Sequence, residues 1–97
     1  MNTPEPVTVV HAPDAHRYEI ALAGRLAALD YTVENGRTVF THTFVPHELR
    51  GRGLAEHLVR RALNDARSQK VVVFPACSYV ATFIQRHPEY QSLLAPT

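Results

Sequence analysis

Hydrophobic and polar residues change period once along this chain, near Pro46. Before it, apolar side chains recur at every second position or in short β-branched runs. Val7-Thr8-Val9-Val10-His11 is such a run, bounded by the breaker pair Pro13-Asp14, and predicts a strand. Tyr18-Glu19-Ile20-Ala21-Leu22 alternates large apolar with small or charged residues up to Gly24 and predicts a second, half-buried strand. Leu29 to Val33 alternates cleanly with Asp30 and Thr32 between. Asn35-Gly36 follows, a pair that tolerates positive φ at both positions and marks a hairpin. Thr38 to Val45, rich in Thr, Val and Phe, is the returning strand. The first half therefore reads as an antiparallel meander of four strands, with only a turn at residues 11–17.

After Pro46 the spacing becomes helical. Leu54, Ala55, Leu58, Val59, Ala62, Leu63 and Ala66 fall on one face, with Glu56, Arg60, Arg61, Asp65 and Arg67 elsewhere, which predicts a helix over 53–68. Val71-Val72-Val73-Phe74 is a continuous apolar run, as expected of a strand buried on both faces, and Pro75 ends it. A short second helix is expected from Ser78, carrying Val80, Phe83 and Ile84 and stopping before Pro88; Tyr90, Leu93 and Leu94 supply a last packed segment. A helix between the fourth strand and Val71–Phe74 points to a parallel pair there, because an antiparallel return needs only a tight turn. The expected fold class is α+β: a four-stranded antiparallel meander, a helix, a parallel fifth strand and a short C-terminal helix. At 97 residues the chain is expected to form one domain, residues 1–97, with the two prolines of residues 1–6 making an extended lead-in.

Composition narrows the function classes. With 45% hydrophobic and 20% charged residues and no repeat, the chain reads as globular. Net charge is +1, and nine of the ten basic residues are arginine, Lys70 being the exception. Arginine's planar fork suits a phosphate, so the bias permits an anionic ligand without demonstrating one. Arg60, Arg61 and Arg67 share their helix with Glu56 and Asp65 and read as a solvated face, so nucleic acid is not an expected partner. A lone cysteine, Cys77, excludes an internal disulfide. Asn2-Thr3-Pro4-Glu5-Pro6 lacks the basic start and apolar run of a signal peptide, and no apolar stretch approaches a membrane span. A soluble cytoplasmic protein with no membrane partner is the default expectation. His11, His16, His47, His57 and His87 are scattered, with no carboxylate-supported ligand spacing, so no metal is expected.

The segment with chemical content is Val45-Pro46-His47-Glu48-Leu49-Arg50-Gly51-Arg52-Gly53-Leu54-Ala55. The first turn of a helix has backbone N–H groups without internal partners, and the macrodipole adds partial positive charge there. Glycines let an anion approach those amides, and Arg50 and Arg52 add fixed charge. No Gly-Lys-Ser/Thr ending makes it a Walker A loop, and two glycines after a meander do not make a dinucleotide fingerprint. The competing structural reading is a tight strand-to-helix turn with Arg50 and Arg52 solvated.

Arg50, Gly53 and Ala55 stand in the order of an Arg/Gln-x-x-Gly-x-Gly/Ala signature at the start of a helix after a fourth strand. In this the chain resembles the GNAT family of N-acetyltransferases. His42-Thr43-Phe44-Val45-Pro46, Arg50-Gly51 to Leu58, and Pro75-Ala76-Cys77-Ser78-Tyr79-Val80 together look like its minimal branch of roughly a hundred residues. The resemblance covers about residues 38–90; the first half matches in strand order alone. It implies that acetyl-CoA (coenzyme A) lies in a wedge where strands four and five splay. Phe44 and Val45 would pair with the pantetheine arm, and Arg50, Gly51, Arg52, Gly53, Leu54 and Ala55 would hold the pyrophosphate. Cys77, Ser78 and Tyr79 would then lie beside the thioester.

Three residues are candidates for chemistry. Tyr79 is a candidate general acid for the leaving thiolate, or an aromatic core residue with a bonded hydroxyl. Cys77, just before a helix N-terminus, is either a transient acetyl acceptor or a small ligand-lining hydrophobe. His42 is suited to take a proton from an amine near neutral pH, or is a satisfied polar residue on a half-exposed sheet. The implied function is transfer of acetyl from acetyl-CoA to an amine, with an acceptor site open enough for a protein or other large substrate. The alternative is an acyl-CoA-binding module without catalysis. Acceptor identity and oligomeric state are left open by these residues.

Overall fold

The computed structural model describes residues 7–94, so the expected lead-in at 1–6 lies outside the described residues. One five-stranded sheet runs in sequence order: β1 (Val10–Ala12), β2 (Arg17–Leu22), β3 (Arg25–Glu34), β4 (Arg37–Phe44) and β5 (Val73–Pro75). The first four pair antiparallel, and β4 pairs with β5 in parallel. Helix α1 (Leu54–Gln69) makes the crossover between β4 and β5, and α2 (Ser78–Arg86) follows β5. The expected α+β architecture is therefore the one observed.

Local chemistry accounts for the joints. Asn35 and Gly36 both take positive φ, 55° and 77°, the mirror-image turn that suits the right-handed twist of β3 and β4. At the end of α1, Lys70 adopts φ 58° and its N–H bonds back to Ala66 and Arg67, while the Val71 amide reaches the Ala66 carbonyl at 2.9 Å. That is a Schellman closure with lysine where glycine is usual.

Tyr18, Ile20, Ala27, Leu29, Tyr31 and Phe40 line one face of the sheet and bury Leu58, Val59, Ala62 and Leu63 of α1. Val80, Phe83 and Ile84 of α2 join the same core. Burying each large side chain stabilises by about 1.5–3 kcal/mol, so this interface holds the helix in place. Pairing puts Arg17, Asp30 and His42 in one row on the opposite face. That face is bare over much of its area, with Phe44 and Phe74 about half exposed.

Two strands differ from the sequence expectation. The first lies at Val10–Ala12 rather than Val7–His11. The tight connection Pro13–Ala15 fixes its register, and the Val9 carbonyl accepts from Arg61 of α1 at 2.9 Å instead of joining the ladder. The fifth is Val73–Pro75 and is not covered on both faces: Val73 is 1% exposed but Phe74 is 50% exposed, because no described element lies over the far side of the sheet there. The tail from Pro88 to Leu93 is a 3-10 helix that buries Tyr90 and Leu93, and Leu94 bridges to Val73.

Candidate functional site

The site begins where β4 ends. Pro46 is buried, and the 3-10 turn His47–Leu49 sinks Leu49 into the core. Glu48 in that turn meets Arg25 of β3 at 3.0 Å. The chain is thus anchored before it enters Arg50–Gly53, and Gly51 and Gly53 then take φ of 84° and 75°. A Cβ at either position would meet nothing within 4 Å, so glycine is required by the backbone and the space beside it is open.

Gly53 is the N-cap of α1 and supplies no side-chain acceptor to the first-turn amides. Those donors face a hollow of about 240 Å³ lined by Val45, Leu49, Arg50, Gly51, Gly53, Leu54, Ala55 and Tyr79. Leu54 is itself buried, so its contribution to a ligand is its backbone N–H. Arg50 folds back, its Nε donating to the Val45 carbonyl at 3.3 Å, which ties the loop to the strand end. Open backbone donors, a helix dipole and two arginines in the same loop fit a pyrophosphate.

Next to the loop the sheet forks. Parallel pairing joins Thr38–Phe40 to Val73–Pro75, and the Cys77 amide donating to the Phe40 carbonyl at 2.8 Å is the last link between them. Pro75 lacks an N–H, and β4 runs on to Phe44 without β5 beside it. A bulge at Thr41 sharpens the divergence: Asp30 pairs with His42 and Tyr31 with Phe40, leaving Thr41 unmatched. The strand edge exposed by the fork suits the amides of an extended arm, which makes Phe44 and Val45 reasonable contacts.

Cys77 stands at the fork as the N-cap of α2, its Sγ 3.3 Å from Thr43 Oγ1. Burial pushes its thiol up, but hydrogen bonds from the Thr43 hydroxyl and the backbone amides of Val80, Tyr79 and Thr43 outweigh this and hold it below its ordinary value. Ser78 begins the helix and is exposed. Tyr79, 41% exposed, faces the loop hollow; partial burial and the nearby Glu56 carboxylate raise its pKa, so its hydroxyl stays protonated.

His42 is exposed on the bare face of the sheet, whereas Thr43 pairs with Leu29 on the helix-bearing face. The candidate groups therefore flank the fork, with His42 on one side and Cys77 and Tyr79 on the other. Among the described residues no side-chain to side-chain hydrogen bond joins any two of the three; the one link is from the Tyr79 backbone amide to the Cys77 thiol. Thr43 joins the site through its contact with the Cys77 thiol. The strand's pattern could not single it out, because the bulge resets which side chains face α2.

Sheet order, fork and glycine-built helix start define the acyltransferase type of α+β domain, and comparison with known proteins supports this. The profile of the GCN5-related N-acetyl-transferase family matches residues 17–93. The chain is 31% identical over 96 residues to protein NATD1 of Bos taurus, covering 94% of this chain and 85% of the relative. To NATD1 of Mus musculus it is 30% identical, with 94% and 87% covered. The solution structure of a GCN5-like N-acetyltransferase candidate from Staphylococcus aureus superposes with TM-score 0.72 at 22% identity, over 93% of this chain and 89% of that one, a likeness of fold. The chain belongs to the GCN5-related N-acetyltransferase family. None of the described helices is long and apolar enough to cross a membrane.

Proposed function

We propose that the protein transfers an acetyl group from acetyl-CoA to an amine. The observation that carries this reading is the uncapped, glycine-built start of α1 opening beside the β4–β5 fork. Amides from Gly51 to Ala55, with Arg50 and Arg52, hold the pyrophosphate, and the β4 edge at Phe44 and Val45 holds the arm. Acetyl-CoA supplies an activated thioester. The C–S bond breaks as the amine nitrogen bonds the acetyl carbon.

The disposition of side chains suits direct transfer. His42, on the bare face, takes the proton from the incoming amine, and Tyr79, protonated on the other side of the fork, gives one to the leaving sulfur. Cys77 and Ser78 line the position between them, and the low thiol pKa of Cys77 makes it the group able to carry the acetyl transiently in a two-step route. The bare sheet face beside the fork leaves the acceptor side open, which suits a protein or another large amine.

A second reading, an acyl-CoA-binding module without turnover, draws on one observation: among the described residues no hydrogen bond joins the Tyr79 hydroxyl, the Cys77 thiol and the His42 ring to one another. One experiment separates the readings. Acetyl-CoA is expected to raise the melting temperature by mass action, and adding a peptide pool with free amines is expected to release thiol. Stabilisation without thiol release would overturn the enzyme in favour of the module, and no stabilisation at millimolar ligand would overturn both. Full turnover by Cys77→Ala would assign direct transfer.

A further inference from the structure

A second hollow lies away from the glycine loop, between the sheet and the later turns of α1. Its volume is about 120 Å³, and its walls include the rings of His11, Tyr18, Tyr31 and Phe40, one from each of β1 to β4. The helix side is lined by Ala62 and Ala66, one turn apart. Elsewhere on that helix face Leu58, Val59 and Leu63 fill the space against the sheet. A larger side chain at 62 or 66 would enter the hollow, and an unfilled hollow costs stability. The chain carries alanine at both positions, and the space stays open.

The chemistry of the lining selects an uncharged occupant. No charged side chain lines the hollow among the described residues. Asp65, which accepts from the Tyr18 hydroxyl at 2.9 Å, is also held by Arg61, and that guanidinium lies 6.0 Å from the Tyr18 ring, against any cation there. An ion without a partner in such a place is costly. The Tyr31 hydroxyl and His11 Nε2 satisfy one another at 2.6 Å. What is left unspent is neutral: the Thr38 hydroxyl and the Gln69 carboxamide line the hollow and have no side-chain hydrogen bond among the described residues. Gln69 is exposed and marks the mouth. A closed apolar cavity of about 150 Å³ takes a benzene, so a half-open one of this size admits a single ring.

We propose that this hollow is a second ligand site, for an uncharged single-ring molecule bearing a hydroxyl or amide. The rings of Tyr31 and Phe40 supply aromatic contact, and Thr38 and Gln69 bond the polar group. This hollow and the loop hollow share no lining residue, so the inference stands or falls independently of the coenzyme A reading.

Phenol is the probe, with benzoate as its charged counterpart. Each would be titrated at pH 7 into the intact protein, Ala66→Leu and Thr38→Val, and the backbone amide shifts followed by NMR. Phenol is expected to move the amides of Tyr31, Thr38, Phe40 and Ala66 along a saturable curve with Kd on the order of 1 mM, a reasonable affinity for a ligand of this size. Benzoate is expected to bind at least about tenfold more weakly. Ala66→Leu fills the hollow and should abolish saturable binding. Thr38→Val keeps the shape, loses the hydroxyl, and should weaken phenol about fivefold. Shifts that do not saturate, that lie elsewhere on the molecule, or that persist in Ala66→Leu overturn the site. Benzoate binding as tightly as phenol overturns the uncharged class, and undiminished phenol affinity in Thr38→Val overturns the part given to the hydroxyl. Should Ala66→Leu fail to fold, the location of the saturable shifts and Thr38→Val still decide the matter.

Discussion

The two ends of α1 are built on opposite principles. At its C-terminal half, side chains tie the helix to the sheet and satisfy one another. The Tyr18 hydroxyl donates to Asp65 at 2.9 Å, and Arg61 bonds the same carboxylate while reaching the Val9 carbonyl at 2.9 Å. His11 stacks on Tyr18 at 4.3 Å, and its Nε2 lies 2.6 Å from the Tyr31 hydroxyl. Even the last carbonyls are closed, by the Lys70 and Val71 amides. At the N-terminal end there is no side-chain cap, two residues in left-handed backbone, and a hollow where a cap would be. A helix end usually gains about 1 kcal/mol from a capping side chain, and Gly53 forgoes part of that gain. Stability is concentrated at one end of the helix, and unspent donors at the other. That division is what a ligand site made of backbone requires.

The strongest way to break the contrast is to fill the open end. Gly53→Glu puts a carboxylate in the cradle, and like-charge juxtaposition costs several kcal/mol. Affinity for acetyl-CoA is expected to fall on the order of a hundredfold or more. The folded protein should lose only about 1–2 kcal/mol, from forcing a side chain into positive φ. Thermal melts with and without ligand check both halves: the ligand-induced rise should vanish while the apo transition moves by several degrees. A variant that keeps the full ligand shift would remove the loop from the binding site.

The converse change touches the closed end. Tyr18→Phe deletes the hydroxyl that bonds Asp65 but keeps the ring under His11 and Arg61. Arg61 still satisfies the carboxylate, so the expected cost is about 1–2 kcal/mol of unfolding free energy, with affinity for acetyl-CoA unchanged. Urea unfolding with a parallel binding titration measures it. If affinity fell as far as stability, the two ends of α1 would be coupled rather than independent.

The contrast also explains what the sequence disclosed. The glycine loop was legible because backbone in left-handed φ leaves a compositional trace: Gly51 and Gly53 take φ of 84° and 75°, where a side chain is strained. The helix and hairpin were legible for the same kind of reason, through period and through Asn35-Gly36. What stayed hidden depends on long-range pairing. Nothing local tells that Tyr18 meets Asp65, 47 positions away, or that the Arg61 guanidinium takes the Val9 carbonyl and so shortens the first strand. The Thr41 bulge hides in a run of threonines and phenylalanines that fits a regular strand equally well. Since it resets alternation, Thr43 and Cys77 become neighbours across 34 positions without any pattern to announce it. The placement of Val71–Phe74 failed for a related reason. An apolar run says that a strand is buried somewhere, but how many faces are covered depends on what the rest of the chain lays over it, and here the far side of Phe74 is bare.

The smallest expected effect sharpens the comparison at the fork, where a thiol stands at the start of a second helix. Cys77 occupies the N-cap position of α2, and its thiol is set below the ordinary value by Thr43 and the nearby amides against the opposing effect of burial. Alkylation by iodoacetamide tracks the thiolate, so its rate plotted against pH is expected to reach its midpoint below that of an ordinary cysteine, about 8.5. Thr43→Val removes the hydroxyl donor and keeps the shape, and should move that midpoint upward but not all the way to the ordinary value, since a single hydrogen bond is lost and the backbone amides remain. The linkage has a definite sign. A thiol with a lower pKa folded than unfolded binds fewer protons in the native state, so stability rises with pH through the interval between the two values. The stabilisation is complete above the unfolded pKa and is lost as pH falls through the folded one. Thr43→Val should flatten that rise. An alkylation midpoint unchanged by Thr43→Val would mean that the amides of α2 alone set the thiol, making the start of this second helix, like that of α1, a site of backbone chemistry.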